Sequence, residues 1–174
     1  PDIFVPYGYD FGKATGFAWV DAILALPWVW LIGYPGFYNW HVFWTLFLNA
    51  LLLMLFFQRL SKSTVLSIAL ASVALWNPFV AQELSAGRIT QVHWHFLIGL
   101  IWFVWEMMQK EARYWHAIGA GVCLILACFV YWFSAIPVAF MPFLIYLKFA
   151  VEQDDKQVWF RGVLASTIGV LGIL

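Results

Sequence analysis

The chain has 174 residues, of which 64% are hydrophobic, 21% aromatic and only 10% charged, and its mean hydropathy is +0.85. Soluble domains are roughly half apolar and about a quarter charged, so this composition excludes an ordinary soluble fold and points to lipid as the solvent for much of the chain. A net charge of zero and a pI near 7.4 exclude a basic footprint for nucleic acid, and the density of Trp, Phe and Leu excludes intrinsic disorder.

Residues 1–16 read as an external loop, with Pro6, Gly8, Gly12 and Gly16 at turn positions. Residues 17–33 are apolar but short and contain Asp21 and Pro27, which predicts a helix lying in the interface or re-entering the bilayer. A crossing helix needs about 20 apolar residues; residues 40–58 supply them, opened by Trp40 and Trp44 and closed by Gln58 and Arg59. Residues 63–82 make the next span, with Asn77-Pro78 ending or kinking its regular part, and residues 89–109 make another. Residues 115–150 are apolar for too long to be one helix, and Ser134 with Pro137 marks the break into two. A final span opens at residue 158. The fold class expected is all-α: one polytopic transmembrane bundle of five or six spans, with one interfacial or re-entrant helix on its outer face. The chain begins at Pro1 and stops at Gly172-Ile173-Leu174 inside an apolar segment, so it reads as a piece of a longer protein.

Orientation follows from Lys and Arg. If the turn at Arg59 and Lys62 is cytoplasmic, alternation places Lys110, Arg113, Lys148, Lys156 and Arg161 there too, seven of the nine basic residues. The opposite face receives Lys13 and Arg88 with Asp2, Asp10, Asp21 and Glu83. Residues 1–16 and 77–88 are therefore expected outside, with the protein in a prokaryotic cytoplasmic membrane.

The stretch from Asn77 to Gln91 is the most informative. Charges this near a bilayer are expensive and tend to mark sites. Arg88, following Gly87 at the outer start of a helix, can hold a phosphate bidentately, and Gln91 presents an amide one turn on along the same helical face. Glu83 can orient a hydroxyl or act as a base, and Asp10, after Tyr7-Gly8-Tyr9, can act as a base or ligate a divalent cation, the one cofactor considered. His93 and His95 invite a metal reading. On a helix, however, a separation of two residues is about 200°, which turns the imidazoles apart, so no metal site is expected. His41 and His116 fall at span ends. Cys123 and Cys128, five apart in an apolar run, read as buried small hydrophobes. No nucleotide-binding or zinc-protease motif is present.

The order Val5-Pro6-Tyr7-Gly8-Tyr9-Asp10, Leu26-Pro27, Leu31-Ile32-Gly33-Tyr34-Pro35 and Tyr38-Asn39, with the later Asn77-Pro78 and Gly87-Arg88-Ile89-Thr90-Gln91-Val92, resembles multi-span membrane glycosyltransferases of the GT-C type. That resemblance, over roughly residues 5–150, implies inverting hexosyl transfer from a polyprenyl-phosphate-linked donor at the outer membrane face. It assigns Asp10 and Glu83 as candidate catalytic carboxylates and Arg88 with Gln91 as ligands of the donor phosphate. The chain departs from the family pattern in lacking a first span, so the base can lie upstream of Pro1. Two other classes compete. One is a small-solute transporter using Asp21, Asn49, Glu106 and the break at Pro137; the other is a non-catalytic scaffold or lipid-binding subunit whose charges serve topology alone.

Overall fold

The computed structural model describes residues 19–33, 36–87, 92–109 and 111–173. The expected external loop 1–16, with Asp10, lies outside the described residues, and so do Arg88 and Gln91. Among the described residues all regular structure is helical: α1 (Trp19–Ile32), α2 (Gly36–Ser61), α3 (Thr64–Leu75), α4 (Pro78–Ser85), α5 (His95–Met107), α6 (Tyr114–Gln153) and α7 (Lys156–Ile173).

The breaks have local causes. Gly33, at φ +73°, turns the chain between α1 and α2, and Lys62, at φ 56°, does the same between α2 and α3. Ser63 caps α3 by accepting from the Leu66 N–H. A single side chain manages the break expected at Asn77-Pro78. The Asn77 amide donates to the Ala74 carbonyl at 2.7 Å while its oxygen accepts from the Val80 N–H at 3.1 Å, and Pro78 at the helix start has no N–H to leave orphaned. The two helices meet at 47°.

Contacts fix the directions of the helices. Gln58 bonds Thr64 beside the turn and Leu53 shares an apolar cluster with Ala71, so α2 and α3 form an antiparallel hairpin. Asn49 reaches His95 and Arg59 reaches Glu106, so α2 and α5 run parallel. Gly99 lies against Cys123 and Gly119 against Phe103, so α5 and the first half of α6 are antiparallel. Along α6, Gly121 faces Ile168 and Leu124 faces Gly169, while Arg161 bonds the Ala112 carbonyl just before the helix; this half runs parallel to α7. Yet Tyr146 touches Gly162 and donates to the Val158 carbonyl. A straight helix would put Arg113 and Tyr146 about 50 Å apart, whereas residues at both ends of it reach neighbouring positions of α7. The helical backbone of α6 therefore turns back on itself between Ile125 and Phe140, the interval that holds Pro137. The break read from the sequence is a reversal within one helical run.

These pairings gather Arg59, Glu106, Ala112, Arg161 and the 154–155 turn at one end of the bundle. Glu106 accepts from Arg59 Nε at 3.0 Å and from the Trp102 indole at 3.2 Å. The Arg59 side chain is 59% exposed and that of Glu106 only 14%. Arg59→Ala is expected to cost at most about 1 kcal/mol. Glu106→Ala, which leaves the guanidinium and the indole N–H both without this acceptor, is expected to cost more; thermal midpoints in one detergent check the order.

Among the described residues, apolar side chains fill the core and also stand on the surface, and several polar ones are buried. His41, Thr45, Asn49, Ser67, Glu83, His93, His95, His116 and Arg161 are buried, while Trp30, Val65, Val73, Trp76, Phe140 and Leu171 stand exposed. One helix, α2, is long and apolar enough by itself to cross a membrane, and the bent pair α3 and α4 passes the same test together. Of the segment expected to span from residue 89, residues 89–91 lie outside the described residues and α5 begins at His95.

Candidate functional site

α5 begins at His95, level with the middle of α2. Asn49 is 13 residues into the 26 of α2, about 20 Å from its start. At that height its amide donates to the carbonyl of Val92, which lies in a 3₁₀ turn just before α5, at 2.7 Å. In an uninterrupted helix that carbonyl would accept from residue 96; here the Trp94 N–H, at 2.8 Å, and Asn49 take it instead. A side chain from another helix thus holds the backbone just before α5.

Around this turn lies a buried polar cluster. Phe37, His41, Thr45, Asn49 and Leu53 form one buried stripe of α2 at a spacing of four. The Asn49 side-chain oxygen is 3.1 Å from His95 Nδ1. The rings of His93 and His95 are 5.1 Å apart between centroids, and those of His41 and His93 5.2 Å. This corrects the expectation for the histidine pair. His93 precedes the helix, so the 200° argument does not apply, and the two rings face one another. His41, read at a span end, is likewise buried within the cluster. Among the described residues, no group of three His, Cys, Asp or Glu side chains is arranged to hold a metal ion.

Glu83 is the one candidate carboxylate among the described residues, and it is 3% exposed. It lies on α4, whose other buried residue is Val80. The Phe79 ring, one turn earlier, stacks on Trp94 at 6.1 Å, which seats α4 beside the segment carrying His93 and His95. Glu83 lies one turn further along α4 than that ring contact. Below the histidine cluster Leu53, Ala71 and Ile98 make an apolar layer, and only beyond it come Trp102, Glu106 and Arg59. Above, α1 covers α2 through Trp28, whose ring lies 5.9 Å from Trp40 and 5.6 Å from Trp44.

The reading of single motifs missed His41, Thr45, Asn49 and His95 as a group. The usable signal was the i, i+4, i+8 spacing of His41, Thr45 and Asn49, three polar residues on one stripe of an otherwise apolar helix. No protein-family model, no curated protein and no solved structure matches the chain.

Proposed function

We propose that the chain is part of a multi-pass membrane protein of glycosyltransferase type, transferring a hexosyl group from a polyprenyl-phosphate donor at the outer face. The observation that carries this reading is a buried carboxylate, Glu83, in a chain that also buries imidazole and amide groups while large apolar side chains such as Trp30, Val65 and Trp76 stand exposed. In hydrocarbon, broken backbone is tolerated only where protein buries it or a cavity meets it, and buried ionisable groups there mark function. The gathering of Arg59, Arg161 and the 154–155 turn at the far end supports a cytoplasmic assignment for that rim.

In this reading the acceptor oxygen bonds the anomeric carbon, the bond from that carbon to the phosphate oxygen breaks, and the acceptor proton passes to a carboxylate. Polyprenyl phosphate leaves. Glu83 and Asp10 are the candidate proton acceptors, and Arg88 with Gln91 would stabilise the charge developing on the leaving phosphate. The test is sugar transfer by the full-length protein in lipid nanodiscs supplied with polyprenyl-phosphate sugars. Arg88→Ala is expected to reduce turnover by about 10²-fold or more. Unchanged turnover in both Arg88→Ala and Asp10→Asn removes this site.

One observation favours a transporter instead: α5 begins near mid-height of α2, the arrangement by which interrupted helices offer backbone to a solute. The layer of Leu53, Ala71 and Ile98 lies across that path. Solute uptake into proteoliposomes that rises when Leu53 or Ile98 is cut to Ala would support this second reading.

A further inference from the structure

The amide of Asn49 cannot be turned over. Its nitrogen is committed to the Val92 carbonyl at 2.7 Å, an acceptor that only a donor can face. The group it presents to His95 is therefore the side-chain oxygen, 3.1 Å from Nδ1, and an amide oxygen is only an acceptor. The proton of the neutral imidazole must then sit on Nδ1. With Nδ1 as donor, Nε2 carries the ring's lone pair. The contact is fully inside the protein: Asn49 is 0% exposed and His95 6%, so water does not compete for either bond.

We propose that His95 Nε2 is a proton-accepting atom of the candidate site and that Asn49 is its positioning residue, holding the ring in the Nδ1–H tautomer. The Val92 carbonyl is the third member of this relay of orientations: the backbone turn before α5 fixes the amide, and the amide fixes the ring. His93, 5.1 Å away between ring centroids, and His41 beyond it extend the imidazole cluster toward the outer half of α2. The tautomer assignment rests on these distances alone; the use of Nε2 as a base rests on the sugar-transfer activity proposed above and makes His95 an alternative to Glu83 and Asp10 as acceptor of the proton.

Two variants separate the roles. Asn49→Asp keeps an oxygen for His95 and can donate to Val92 only as the protonated acid, and Asn49→Leu keeps the approximate volume and offers neither bond. In full-length protein carrying ¹⁵N-histidine in nanodiscs, with the His95 signals identified by their loss in His95→Asn, Nδ1 is expected to be protonated and Nε2 unprotonated in the wild type at neutral pH. Asn49→Asp should retain that pattern and Asn49→Leu should lose it. A wild-type His95 protonated at Nε2 alone, or a pattern unchanged in Asn49→Leu, overturns the assignment. If Asn49→Leu fails to fold, the wild-type and Asn49→Asp spectra still decide it. The second measurement is turnover. His95→Asn, which still offers a donor to Asn49, is expected to lower sugar transfer by about 10²-fold or more. Transfer at the wild-type rate in His95→Asn overturns the base role and leaves the proposed activity standing. Absence of any transfer in the wild type is instead a failure of the proposed activity, with the tautomer still decided by the resonances.

Discussion

Replacing Glu83 by Gln is expected to lower sugar transfer by the full-length protein by about 10²–10⁴-fold, the range for loss of a general base, while leaving the thermal midpoint within a few degrees of the wild type or above it. The split follows from burial. Glu83 is 3% exposed on a short helix whose apolar anchor is Val80 and whose ring contact is Phe79 on Trp94. Gln preserves the volume and one acceptor oxygen, and it removes the cost of keeping a carboxylate out of water. A structural carboxylate would show the opposite pattern: a falling midpoint with turnover per folded molecule little changed. Measuring both quantities on the same nanodisc preparation separates the two. Wild-type turnover in Glu83→Gln would take the one candidate catalytic carboxylate among the described residues out of the proposed chemistry.

The second large effect is structural. Gly121→Ala is expected to destabilise the packing of α6 on α7 by about 1–3 kcal/mol, the range for overpacking a close contact. A Cβ at Gly121 would lie 2.7 Å from the Ile168 side chain and 2.9 Å from the Ala165 carbonyl oxygen. The first neighbour can change rotamer, but the second is backbone inside a helix and cannot withdraw unless the helix moves. Small residues at such crossings let helix backbones approach where lipid offers no hydrophobic drive for association. Gly99→Ala is the control, since its added carbon meets only the Cys123 thiol at 3.0 Å, the end of a side chain. Midpoints by scanning fluorimetry in one detergent should rank Gly121→Ala below Gly99→Ala, and equal midpoints would show that α7 slides freely on α6.

Much of the fold was legible because its determinants are local. The break at Asn77-Pro78 needs one amide, one proline and the carbonyl of the preceding turn, all within seven residues, and the structure shows that cap. The limit placed near Pro137 was read from composition, and the two halves of α6 do run in opposite directions. Residues 92–94 were misread as α-helix for a different reason. Val92-His93-Trp94 looks as helical as its neighbours, but the carbonyl that would continue the helix is held by Asn49 from 43 positions away. The same error misdirected the histidine pair: His93 and His95 diverge on a helix and converge once His93 leaves it. Of the candidate site, the sequence singled out Glu83 from its charge near a span end. It offered no reason to join Asn49 to His95, because neither polarity nor spacing within one segment reports which level of a second helix will lie alongside.

Composition and short-range spacing alone determined that this chain is a set of apolar helices and where most of them stop. Each of those outcomes depends on side chains within a turn or two of one another. Tertiary structure alone decided that α6 doubles back so that Ala112 and Tyr146 both meet α7, that the polar stripe of α2 faces inward, and that Asn49 holds the Val92 carbonyl and His95 together. The physical reason is that a buried polar group must find a partner wherever the packing brings one, and which partner arrives is a property of how helices cross.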